Sequence, residues 1–131
     1  MRRQFNLPEE DSEYLNSSGY GWETIAESGN WIIVHDYPVP DGYNVPRVSV
    51  ALKIETGYPT TQIDMAYFFP QLNRKDGKPI RALTTIGLDG KHWQRWSRHR
   101  TGENPWRVGV DDICTHLAFV TQWLEREFQI R

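Results

Sequence analysis

The chain predicts an α+β domain, and three observations predict it. Apolar residues recur at period 2 through the first half, regularity lapses after Pro70, and period 3.6 takes over toward the C-terminus. Residues 7–16 read as a short N-terminal helix: Pro8 suits a first turn, Glu9, Glu10 and Asp11 complement the helix dipole, and Gly19 and Gly21 end it. Residues 21–28 and 30–37 read as two strands joined at Ser28-Gly29-Asn30. The second carries Trp31-Ile32-Ile33-Val34-His35, apolar enough to be covered on both faces.

Pro38, Pro40 and Pro46 with Asp41-Gly42 make a loop, since proline removes backbone donors and Asp-Gly favours a tight turn. Residues 47–55 alternate Val48, Val50, Leu52 and Ile54 against Arg47, Ser49, Ala51 and Lys53, which predicts a strand with one buried face. Residues 62–69 pair behind it, completing a four-stranded antiparallel meander. The segment after Pro70 is expected to be irregular, with turns at Asp76-Gly77, Lys78-Pro79, Asp89-Gly90 and Asn104-Pro105 and brief extended runs at 80–86 and 92–98. Val110, Ile113, Leu117, Val120, Leu124 and Phe128 then fall at helical spacing, so residues 110–128 form a long amphipathic helix with Asp111 and Asp112 in its first turn.

At 131 residues the chain fits one domain, 1–131, able to bury a core without staples. Cys114 is the only cysteine, so no internal disulfide forms and a reducing, cytoplasmic setting is expected. The first residues lack the apolar segment of an export leader, and no apolar run approaches a membrane span, so no membrane association is expected. Net charge is −2, yet residues 73–107 hold nine Lys/Arg against three Asp/Glu, a locally basic stretch in an acidic chain.

That stretch includes Gly90-Lys91-His92-Trp93-Gln94-Arg95-Trp96-Ser97-Arg98-His99-Arg100, which with Trp106 holds three of the six tryptophans and two of the four histidines. Strand-like alternation places Trp93, Arg95, Ser97 and His99 on one face and His92 with Trp96 on the other. Trp96 then anchors the core, while Trp93, Arg95 and His99 contribute to an exposed patch that binds a protein partner. Ser97 and His99 are the candidate nucleophile and base, without an identified orienting residue or oxyanion hole. Cys114, beside Ile113 in an apolar helix stripe, reads as core. His92, His99 and His116 match no zinc spacing, so no metal is assigned, and no cofactor is implied.

The segment Ile54-Glu55-Thr56-Gly57-Tyr58-Pro59-Thr60-Thr61-Gln62-Ile63-Asp64-Met65-Ala66-Tyr67-Phe68-Phe69-Pro70 resembles the third strand, Tyr-Pro loop and fourth strand of the ubiquitin-conjugating-enzyme fold. Trp106 is similar to that family's tryptophan ahead of its second major helix. The likeness covers about residues 7 to 129 and is closest to the bacterial branch called prokaryotic ubiquitin-conjugating family E. It implies a ubiquitin-like protein and its activating enzyme as partners. It also implies a His-Pro-Asn tripeptide and a catalytic cysteine between the fourth strand and the tryptophan, and this sequence has neither. Asp89-Gly90-Lys91-His92-Trp93 stands where the cysteine would fall, and Thr60-Thr61 replaces a proline pair.

The function expected is therefore a binding module for a ubiquitin-like protein or its activating enzyme. The alternative is an active conjugating enzyme with an oxygen nucleophile such as Ser97. A nucleic-acid binder using Lys91, Arg95, Arg98 and Arg100 among stacking tryptophans is a third reading. The acidic overall charge and the lack of a recognised nucleic-acid motif argue against it.

Overall fold

The computed structural model describes residues 1–130. Its elements run α1 (Glu9–Ser18), β1 (Trp22–Ala26), β2 (Asn30–Pro38), β3 (Arg47–Ile54), β4 (Ala66–Phe69), β5 (Leu83–Leu88), β6 (Lys91–Trp96) and α2 (Ile113–Ile130). The class is α+β, as the patterning predicts. The sheet is larger than predicted, with six strands in the order β1-β2-β3-β4-β6-β5 and every neighbouring pair antiparallel.

The four-strand meander is present as β1 to β4, and the segment read as irregular supplies two more strands. Asp89 and Gly90 both take positive φ, 52° and 71°, in a two-residue turn between paired Leu88 and Lys91. That turn folds β5 onto β6, and β6 then pairs with β4, setting Ala66 against Trp96 and Phe68 against Gln94. Strand β4 is shorter than expected, because Met65 at φ 59° turns the chain out of the ladder and sends its N–H to the Arg98 carbonyl at 3.1 Å.

Both faces of the sheet are buried, by different means. Ile32, Val34, Val50, Leu52, Phe68 and Trp96 face the helices and meet Leu15 of α1 and Leu117, Val120 and Leu124 of α2. On the opposite face Ile25, Trp31, Ile33, Ala51, Tyr67, Leu88 and Trp93 form a second cluster that no helical residue joins. There the aromatics cover one another, with Trp31 edge-on to Tyr67 at 5.0 Å and Phe69 tilted against Trp93 at 5.8 Å. Lys53 and Lys91 place their ammonium groups 5.7 and 5.8 Å from the ring centroids of Trp31 and Phe69.

Helix α2 is fastened by buried phenols. Tyr37 donates to the Leu117 carbonyl at 3.0 Å and Tyr43 to that of Leu124. Gly42, at φ 108°, lies so close to the Phe128 ring that a Cβ there would sit 2.6 Å from Cζ, so glycine is required on two counts. Helix α2 begins at Ile113 rather than 110, and Val110 is exposed. Among the described residues no helix is long and apolar enough to cross a membrane.

Candidate functional site

A cleft of about 750 Å³ opens between residues 97–104 and the outer face of α2. Ser97, His99 and Asn104 line one wall, and Phe119, Trp123 and Arg126 the other. The first wall exists because β6 stops at Trp96, where the Arg98 N–H bonds to the Trp96 carbonyl at 2.9 Å and the strand alternation ends. His99 consequently turns to Asp64, with Nδ1 2.7 Å from Oδ2, while the Arg100 N–H reaches Oδ1 of the same carboxylate at 3.3 Å. A carboxylate only accepts, so Nδ1–H donates and Nε2 stays available, on a side chain 59% exposed. Asp64 is the orienting group that sequence reasoning missed.

Beneath this wall lies a buried cation. The Arg100 side chain is 2% exposed, with its guanidinium 4.4 Å from the Phe119 ring centroid and 5.0 Å from that of Trp106. Nη2 donates to His116 Nδ1 at 2.9 Å and Nη1 stands 3.8 Å from Asp111. His116 Nε2–H donates to the Met65 carbonyl at 2.9 Å, so both ring nitrogens are committed. Burial pushes the His116 pKa down to about 4 and the ring is neutral at pH 7. Trp106 donates to the Pro59 carbonyl at 3.0 Å, tying the Tyr-Pro loop to the segment ahead of α2.

The remaining candidates do not gather. Trp96 is buried on the helix side as expected, but Trp93 does not face out: it is 1% exposed, packed in the second cluster and donating to the Leu88 carbonyl. The alternation assigns the two tryptophans to opposite faces correctly, and both faces turn out to be covered. Arg95 lies half-buried against Tyr67 on the helix-free face, away from His99 at the cleft, so the predicted patch is divided. Ser97 and His99 share the cleft, yet no hydrogen bond joins them among the described residues. Nor do the basic residues form a stripe. Arg100 is enclosed, Arg98 pairs with Glu127 and Lys91 with Asp89. Cys114 is half-buried beside Tyr14, and burial raises its pKa.

The family model described as Prokaryotic E2 family E matches residues 7–127, nearly the whole chain and all eight elements up to the last turn of α2. The chain belongs to this family. No match emerges among curated proteins or among solved structures. As a member of Prokaryotic E2 family E, it is an E2-like protein of a prokaryotic ubiquitin-like system. In this member the stretch between β4 and Trp106 contains no cysteine, and the cleft beside it presents an oriented imidazole instead.

Proposed function

We propose that this E2-like domain acts by docking a ubiquitin-like protein, or the enzyme that activates it, without carrying a thioester. One observation carries the reading: the chain between β4 and Trp106 offers no thiol, while the only one, Cys114, sits half-buried at the start of α2 against Tyr14 of α1. The docking surface we assign is the cleft wall of Ser97 and His99 together with Phe119, Trp123 and Arg126 of α2. It combines partly exposed aromatics with cationic and imidazole groups, the mixture expected of a protein-recognition surface.

A second reading is favoured by the His99–Asp64 pair, which places an oriented base in the same cleft as Ser97. Incubation with the cognate ubiquitin-like protein, its activating enzyme and ATP separates the two. Docking alone predicts a complex and no covalent adduct. An adduct that survives thiol reductants and disappears in Ser97→Ala establishes the second reading, because an oxyester is not cleaved by thiols as readily as a thioester. An adduct cleaved by reductant and lost in Cys114→Ser refutes both.

A further inference from the structure

A second histidine is oriented more completely than His99, and it lies on the other side of the molecule. His35 Nε2 is 2.7 Å from Glu23 Oε2, and its Nδ1 is 2.9 Å from Ser49 Oγ, so a Ser-His-Glu row crosses β3, β2 and β1. A carboxylate accepts only, which assigns the ring proton to Nε2. In the neutral ring Nδ1 then carries the lone pair, and the Ser49 hydroxyl must donate to it. That is the arrangement of a nucleophile with its base and an orienting acid, the two ring nitrogens exchanging their more familiar roles.

The backbone is shaped for it. Val34 pairs with Val50, so the antiparallel ladder sets His35 opposite Ser49 on one face, and the register shifts at a bulge before Tyr37, with Asp36 at φ 56°. The carboxylate is fixed on its other oxygen as well, with Arg2 Nε 2.9 Å from Glu23 Oε1, and Arg2 is itself held by Asp89. Arg47, two residues along β3 on the same face, bonds to the Asp36 carbonyl at 3.2 Å and adds a cation beside the bulge. The His35 side chain is 29% exposed and Ser49 is partly buried, so the pair borders solvent.

We propose that Ser49 is an activated hydroxyl that accepts acyl groups from activated esters or thioesters, with His35 as general base and Glu23 as the positioning residue. Oγ forms a bond to the acyl carbon, its proton passes to His35 Nδ1, and the phenolate or thiolate leaves and takes that proton. The reaction needs neither the cleft nor a ubiquitin-like partner, so it stands or falls apart from the docking reading.

The test uses p-nitrophenyl acetate on the full chain, with p-nitrophenolate release followed in time and the acetyl group located by peptide mass spectrometry. We expect one acetyl on Ser49, none at that position in Ser49→Ala, and a labelling rate about a hundredfold lower in His35→Gln, within the usual contribution of a general base. Glu23→Gln should slow labelling by about tenfold while the thermal midpoint shows that the chain still folds. Acetyl groups confined to lysines, Cys114 or the N-terminal amine overturn the proposal. So does Ser49 labelling that proceeds at the same rate in folded His35→Gln.

Discussion

His116 shows how one buried residue sets the chemistry of its surroundings. Its ordinary pKa of 6.5 is pushed down to about 4, chiefly by burial, so the unfolded chain takes up a proton that the folded chain refuses. The resulting contribution to stability is intact above pH 6.5 and is lost as pH falls toward 4, amounting to about 3 kcal/mol at about 1.4 kcal/mol per pKa unit. Urea denaturation at pH 7, 5.5 and 4 should show that decline, and His116→Gln, which can still donate to Met65 and accept from Arg100, should flatten it. An unchanged slope would place the sensitivity elsewhere. In the sequence His116 is one of several scattered histidines, and its contacts with Arg100 and Met65 depend on tertiary packing. Asp64 was equally invisible as a partner of His99, since 35 positions separate them. A Ser two positions from a His is visible at once, but its proximity proved less informative than the distant carboxylate.

Among the elements, α2 was the most legible and the β5–β6 hairpin the least. The apolar stripe of α2 survives translation into structure, with Ile113, Leu117, Val120 and Leu124 all buried. Its start moves because Asp112 and Thr115 cap each other: the Thr115 N–H reaches Asp112 Oδ1 at 3.0 Å and the Asp112 N–H reaches Thr115 Oγ1 at 2.9 Å. Asp112→Ala should therefore cost about 1 kcal/mol in denaturant titration, whereas a loss near zero would show that the neighbouring contacts hold the end unaided. Strand β5 was read only as a brief extended run because it lies at the sheet edge and half of its residues are exposed, leaving little apolar alternation. Asp89-Gly90 was legible as a turn, but its two flanks gave no sign that they pair. Trp93 follows from that omission. With β6 paired on both edges, Trp96 packs into the cluster under the helices and Trp93 into the cluster on the opposite face, so Trp93→Ala should lower stability by about 3 to 5 kcal/mol rather than remove a docking contact selectively. A folded, stable Trp93→Ala chain with weakened partner binding would restore the original assignment.

At the scale of the whole molecule, residues of both sheet faces are buried, and the cleft beside α2 offers a concave surface for a partner. Family membership and the missing thiol were both readable from the sequence, because each rests on residue order. The cleft was not, since it joins the end of β6 to a helix that begins many residues later. Calorimetric titration of the chain with its cognate ubiquitin-like protein and with the activating enzyme tests the central claim. The account predicts a saturable complex with at least one of them, unchanged by Cys114→Ser and weakened about tenfold, or about 1.4 kcal/mol, by the paired cleft substitutions His99→Ala and Arg126→Glu. No complex with either partner, or one abolished by Cys114→Ser in a folded chain, would contradict it.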